Sequence, residues 1–345
     1  MSRYDHLDES DVRVRPDRRG SRPRTKQRPA HEDAEVGVVV AVDRGRYTTR
    51  VGDRTVLAMR ARSLGRDRPV VGDRVGLVGD TSGEPGTLAR VVRVHDRTSV
   101  LRRSADDSDR VERVIVANAD QMGIVVSLAD PEPRPRLIDR YLVAAYDAGL
   151  DPLLLLTKAD LAPAAPLLRV YEPLEVPFVV TSIGSSGTAD TGLDEVVARL
   201  RDRVTVLVGH SGVGKSTLVN VLVPGAARAT GVVNAVTGRG RHTSTSAVAL
   251  PLPGGGWVVD TPGVRSFGLG HVDPATFVGH FPDLVPGTDG CPRSCSHDEP
   301  ECALDAWVDS GAAGPAGRDR LESLRRLLRS RAGEAAEGAD DTGLR

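Results

Sequence analysis

The segment GHSGVGKST at residues 209–217 restricts the folds open to this 345-residue chain more than any other feature. It fits G-x-x-x-x-G-K-[ST], follows the apolar run VTVLV and opens the apolar-periodic stretch LVNVLV. A strand that passes through such a loop into a helix is a P-loop unit, and it implies a sheet of mostly parallel strands. Gly209, Gly212 and Gly214 let the backbone curl so that its N–H groups face a phosphate, and the helix N-terminus adds partial positive charge. In such a loop Lys215 reaches the β- and γ-phosphates and Ser216 ligates Mg²⁺, while His210, Ser211, Val213 and Thr217 complete the cradle. A ligand-free glycine turn is the plain alternative; it leaves the strand, lysine, serine and helix as coincidences.

Lysine usage sharpens this reading. Of 46 basic residues only Lys26, Lys158 and Lys215 are lysine. Two of the three lie in motifs where a compact ammonium is not interchangeable with a planar guanidinium. Lys158 belongs to TKAD, at Thr157, Lys158, Ala159 and Asp160, which ends the apolar run LLLL. This matches the [NT]-K-x-D element that reads guanine: a carboxylate at Asp160 accepts from N1–H and the exocyclic amine, which adenine does not offer in that arrangement. The alternative is a strand-end turn with incidental charge. TSIGSSG, beginning at Thr181 and Ser182, also follows an apolar run and would support the base through its backbone. DTPG at 260–263 follows WVVD. Asp260 there would hold Mg²⁺ through water, and Gly263 would offer an N–H to the γ-phosphate.

The order is unusual, because TKAD and TSIG precede the P-loop. All four elements still sit at C-terminal ends of expected strands, where ligands bind in open α/β sheets. A sheet whose old ends are joined and whose new ends open elsewhere keeps every loop in place. GRGRHTSTS, residues 238–246, lies where the first switch belongs, and its composition suggests mobility with ordering by the γ-phosphate. Thr243 and Thr245 both qualify to complete the Mg²⁺ shell. Val264 stands close to where many GTPases carry a water-orienting glutamine, so His242 is the candidate for placing water; a structural or RNA-contacting histidine is the alternative.

Outside these motifs the chain divides into segments. Residues 1–33 are dense in Arg and Pro and read as a disordered basic tail. Residues 34–98 hold five short apolar runs between Gly/Asp turns, which suggests a small β-barrel, an OB fold or a generic structural barrel. Tyr47 is its single aromatic residue, so base stacking contributes little there. Residues 110–268 alternate strands and helices, beginning with VERVIVANAD and QMGIVVSLA. Residues 269–331 carry C-x₃-C-x-H-x₄-C, formed by Cys291, Cys295, His297 and Cys302, followed by a helix with Leu321, Leu324, Leu327 and Leu328 on one side. Three thiolates and an imidazole suit one structural, tetrahedral Zn²⁺; free buried thiols are the alternative. Residues 332–345 read as a frayed tail. Formal net charge is −1, which excludes a uniformly basic nucleic-acid binder, and no apolar run approaches a membrane span. An N-terminus without an apolar core makes secretion unexpected.

A barrel, then TKAD, GHSGVGKST, GRGRHT, DTPG and a Cys₃His cluster resembles the ribosome small-subunit-dependent GTPase A family (RsgA, also called YjeQ), over about residues 35–330. The resemblance implies three parts: an N-terminal OB-fold barrel, a central α/β circularly permuted P-loop GTPase domain, and a small, mostly helical C-terminal zinc domain. It further implies a cytoplasmic, monomeric enzyme that binds GTP and GDP, contacts the small (30S) ribosomal subunit and its rRNA, and hydrolyses GTP when stimulated by that subunit during late maturation. Two departures are visible: the zinc spacing is slightly shorter than the family pattern, and His210 replaces glutamine. Two readings from other classes stay open, an RNA-binding factor for which nucleotide is only an on/off ligand, and a metabolic P-loop kinase.

Overall fold

The computed structural model describes residues 31–65, 67–104, 112–183, 190–225, 247–261, 269 and 277–332. The first five strands are β1 (Glu35–Asp43), β2 (Arg46–Val51), β3 (Arg54–Arg60), β4 (Arg74–Gly79) and β5 (Ala89–Val94). Their alternating patterns put Val39, Tyr47, Val56, Val75, Leu77 and Val91 in a shared core, as expected of strands with one buried face. Neighbours pair in the order β1-β2-β3-β5-β4 and β4 returns to β1. All pairs are antiparallel except β3–β5. That closure is the five-stranded OB barrel, which resolves the choice between an OB fold and a generic barrel.

Beyond the barrel, β6 (Val100–Ser104) pairs, among the described residues, only with β7 (Glu112–Ala117), as a separate antiparallel ribbon. The run VERVIVANAD forms a strand, as expected, but in this ribbon and not in the parallel sheet. Besides β6 it is held by the barrel: the Ala117 N–H donates to the Val71 carbonyl at 2.9 Å. Asn118 accepts from the Thr98 N–H at 2.8 Å and donates to the Gly72 carbonyl at 2.9 Å. A Cβ on Gly72 would lie 1.9 Å from the Ala117 carbonyl oxygen, so only glycine permits this seam.

The parallel sheet starts at β8 (Gln121–Ser127), every residue of which is buried. It continues with β9 (Asp151–Thr157), β10 (Phe178–Val180), β11 (Val204–Val208) and β13 (Trp257–Asp260), in the order β10-β9-β8-β11-β13. β12 (Val248–Pro251) runs antiparallel beside β13 and meets β1 at Ala41↔Val248, joining sheet to barrel. Continuous apolar runs in β8, β9 and β11 follow from helices covering both faces. On one face α1 (Pro135–Asp147) packs Ile138, Tyr141, Leu142 and Ala145, and α2 (Ala165–Tyr171), a helix not expected from the sequence, packs Leu167 and Tyr171. On the other, α3 (Leu193–Leu200) and α4 (Lys215–Leu222) bury Val196, Leu200, Leu218, Val219 and Leu222.

The C-terminal region adds α5 (Ala303–Asp309) and α6 (Gly317–Ala332). Leu321, Leu324, Leu327 and Leu328 of α6 are buried in the cluster that also holds α1. Arg326 Nε lies 3.0 Å from the buried Asp139 carboxylate of α1, and its guanidinium sits over the Tyr171 ring at 5.2 Å. Arg320 donates twice to Asp283, at 2.9 and 2.8 Å, and once to the Pro173 carbonyl at 2.7 Å. Among the described residues no helix is long and apolar enough to cross a membrane.

Candidate nucleotide site and metal centre

Sheet order collects the motifs that chain order scatters. β11, the fourth of the parallel-sheet strands in sequence to begin, is central, between β8 and β13. Its C-terminal end carries the P-loop, with TKAD two strands away at the end of β9 and Asp260 next door at the end of β13. The loop depends on glycine: a Cβ on Gly209 would lie 2.6 Å from the Val125 carbonyl oxygen, and Gly214 has φ +89° at the start of α4. Val213 is buried, whereas Ser211, Gly212, Ser216 and Thr217 are exposed at the loop and the first turn of α4. Lys215 Nζ donates to Asp260 Oδ1 at 2.8 Å, so the ammonium and the carboxylate of the two phosphate motifs already meet.

The base-reading loops are fastened to the same edge. Thr157 is buried, and its hydroxyl donates to the Val213 carbonyl of the P-loop at 2.7 Å. Lys158 has φ +59° and its ammonium donates to the Asp130 carbonyl. The Ala159 N–H donates to the Thr181 carbonyl at 3.1 Å, and the buried Thr181 hydroxyl donates to the Leu156 carbonyl at 3.1 Å. Ser182 donates to Asp160 Oδ1 at 2.9 Å, which joins TKAD to the TSIG segment. His242, Thr243, Thr245 and Gly263 lie outside the described residues.

One part of this edge carries no motif. The loop from Asp130 to Arg134, after β8, lies beside the P-loop: Pro131 Cδ is 3.5 Å from where a Gly212 Cβ would be. Arg134 Nη1 is 3.5 Å from His210 Nε2. Its one legible signal is position, since it follows the C-terminal end of a central strand.

Cys291, Cys295, His297 and Cys302 bring their ligand atoms within 4.8 Å of one another. Cys291 Sγ lies 3.6 Å from His297 Nδ1 and 3.9 Å from Cys302 Sγ. A tetrahedral ion with about 2.3 Å metal–sulfur bonds separates its ligands by about 3.8 Å, so the cluster has the right size. Burial pushes the Cys295 thiol up to about 12, raises Cys302 and lowers His297. Burial therefore favours the neutral Cys295 and Cys302 thiols, and a divalent ion would stabilise their thiolates. The His297 N–H donates to Cys295 Sγ at 3.3 Å, and Glu299, held down to about 2 by the Ser296 N–H, accepts from the Cys295 thiol at 3.2 Å. Arg325 ties the loop to α6, donating to the His297 carbonyl at 3.0 Å and to both Asp305 oxygens.

A family model described as RsgA GTPase matches residues 94–270. The small ribosomal subunit biogenesis GTPase RsgA of Chlorobaculum tepidum is 37% identical over 311 residues, covering 85% of this chain and 97% of the relative. The protein of the same description from Pseudomonas aeruginosa PAO1 is 40% identical over 261 residues, 72% of this chain and 73% of the relative. Among solved structures, YjeQ from Thermotoga maritima aligns with TM-score 0.62 and 27% identity over 87% of this chain and 99% of that one. YloQ, described as a circularly permuted GTPase, aligns with TM-score 0.61 at 22% identity, covering 89% of this chain and 98% of its own, a likeness of fold.

Proposed function

The chain belongs to the RsgA GTPase family, and from that premise we propose that it hydrolyses GTP to GDP and phosphate on the small (30S) ribosomal subunit, assisting late maturation. The observation that carries the nucleotide half of this reading is the single sheet edge where Lys215 meets Asp260 and Thr157 meets the Val213 carbonyl. Asp160 accepts the guanine donors. Lys215 exchanges the Asp260 carboxylate for the β- and γ-phosphates, and the N–H groups of residues 211–215 surround them. Mg²⁺, when bound, draws charge from the phosphate oxygens. Ser216 and Asp260, with Thr243 or Thr245, supply the hard oxygen donors such an ion requires. His242 places the attacking water.

The Cys₃His cluster holds zinc in a closed structural site, because softness and tetrahedral size favour it over harder ions. The proposed limits are a basic tail at 1–33, the barrel at 34–98, the permuted GTPase domain at 110–268, the zinc domain at 269–331 and a second tail at 332–345. The enzyme acts as a cytoplasmic monomer on the subunit's rRNA. The deciding experiment is a phosphate-release assay with and without purified small subunits. Wild type should turn over GTP faster with subunits, and Lys215→Ala should lose turnover in both conditions. His242→Ala should lower stimulated turnover more than nucleotide affinity. Turnover indifferent to the subunit would leave a GTPase but remove the ribosomal half of the proposal.

A further inference from the structure

The tip of the P-loop is braced on one side by a motif and on the other by residues that belong to none. Gly212 and Gly214 have φ +84° and +89°. Each shares a peptide unit with a carbonyl that a side chain holds. The Val213 carbonyl accepts from the Thr157 hydroxyl of TKAD at 2.7 Å. The Ser211 carbonyl lies 2.9 Å from His210 Nδ1. A trans peptide unit is planar and points its C=O and N–H in opposite directions. Pinning the Ser211 carbonyl therefore turns the Gly212 N–H the other way, as pinning Val213 turns that of Gly214. Among the described residues neither N–H has a hydrogen-bond partner. Backbone N–H groups left free by a run of this kind form a concavity that accepts an anion.

The imidazole is oriented in its turn. A carbonyl only accepts, so Nδ1 carries the proton and donates to Ser211; an arginine only donates, so Nε2 is the acceptor for Arg134 Nη1 at 3.5 Å. That bond is long, and it is the one polar side-chain contact of Arg134 among the described residues, with no carboxylate competing for the guanidinium. Arg134 is exposed, yet its backbone is fixed. It precedes Pro135 at the first turn of α1, and its carbonyl accepts from the Leu137 and Ile138 N–H groups at 2.9 and 3.1 Å. The Pro135 carbonyl accepts from the Tyr171 hydroxyl at 3.0 Å. Beneath the pair, Leu137, Ile138 and Tyr141 of α1 line an apolar pocket together with Val213. The imidazole is thus steered from a packed helix.

We propose that Arg134 is a positioning residue for polyphosphate binding: it orients His210, and His210 holds the 211–212 peptide unit with its N–H toward the phosphates. This role rests on the nucleotide-site reading above and adds to it a residue that no motif marks. Thr157 and Arg134 then do the same work on alternate peptide units of one loop, the first written into TKAD and the second supplied by the loop after β8.

The test measures affinities of the full chain for GDP and for guanosine by competition with a fluorescent GDP. His210→Ala should weaken GDP about 3- to 10-fold, and Arg134→Ala about 3-fold. Arg134→Ala added to His210→Ala should cost nothing more, because Arg134 acts through the imidazole. Guanosine keeps the base and sugar and has no phosphate, so its affinity should be the same in wild type and all three variants. Lys215→Ala is the control for the site itself. If it leaves GDP affinity intact, the nucleotide-site reading falls and this role falls with it. If Lys215→Ala weakens GDP while Arg134→Ala and His210→Ala do not, the role of the pair alone is overturned. Single effects that multiply in the double variant would also overturn it, since Arg134 would then act without His210. So would a parallel loss of guanosine affinity, which would make the pair a prop for the whole site.

Discussion

At the level of single residues, two side chains of one motif have separable tasks. Asp160 is exposed at the end of β9, and the task proposed for it is to discriminate bases. Asp160→Asn should cost GTP about 1.5 to 3 kcal/mol, ten- to a hundred-fold, and leave the weak affinity for ATP nearly unchanged. Titration of both nucleotides checks this, and equal wild-type affinities would remove the guanine assignment. Thr157, three residues earlier, is buried and fastens TKAD to the P-loop through Val213. Thr157→Val keeps the branched shape and removes that bond, so it should weaken GTP and GDP alike, by about 1 kcal/mol. A change in GTP-to-ATP preference from Thr157→Val would contradict the division of labour. The motif pattern showed that position 157 is Asn or Thr. That its hydroxyl points at a carbonyl 56 residues later was not legible, because nothing local records which strands become neighbours.

At the level of elements, α6 holds the C-terminal region against α1 through a mixed interface. Leu321, Leu324, Leu327 and Leu328 were visible as a helical stripe in the sequence. Arg326 was indistinguishable from the other arginines around it until the fold put it 3.0 Å from a carboxylate that burial drives toward its neutral form. Arg326→Met strands Asp139, and stability should fall by about 2 kcal/mol. This is less than the 3 to 5 of a fully buried pair, because the Arg326 side chain is 33% exposed. Adding Asp139→Leu should recover most of the loss. Chemical denaturation of the two variants measures both effects, and a double variant no better than the single one would show that the pair is not the source. The metal loop gives a second test at this scale. Elemental analysis should find about one zinc per chain, and chelation should expose α5 and α6 to protease before the barrel, since metal binding and local folding are coupled. Folded, protease-resistant protein without metal would refute the assignment.

At the level of the whole molecule, net charge near zero excludes a uniformly basic surface, so the attraction to rRNA proposed above depends on local charge. The proposed binding is expected to draw on barrel, GTPase domain and zinc region together, and to gain from electrostatics only where arginines cluster. Cosedimentation with small and large subunits, in GTP, GDP and a slowly hydrolysed analogue, should give small-subunit binding with GTP or the analogue and release with GDP. Phosphate contacts displace counterions, so affinity should fall steeply between two salt concentrations. Association indifferent to nucleotide and subunit type would make the ribosomal assignment wrong even with GTP hydrolysis intact.

Some of this protein was determined by sequence alone. The P-loop, the TKAD pattern and the Cys₃His spacing are local patterns: each is written in a few consecutive residues, so it is readable without knowing its neighbours. Strand alternation likewise revealed the five barrel strands, since a period of two has one packing solution on a barrel wall. Tertiary structure alone decided which strands adjoin. It turned VERVIVANAD from an expected sheet strand into half of a ribbon pinned to Gly72, and it brought the Asp130–Arg134 loop against the P-loop. Each of these rests on contacts between segments far apart in the chain. Such contacts are chosen by shape and by the pairing of buried polar groups across the whole fold, and no window of sequence contains both sides of them.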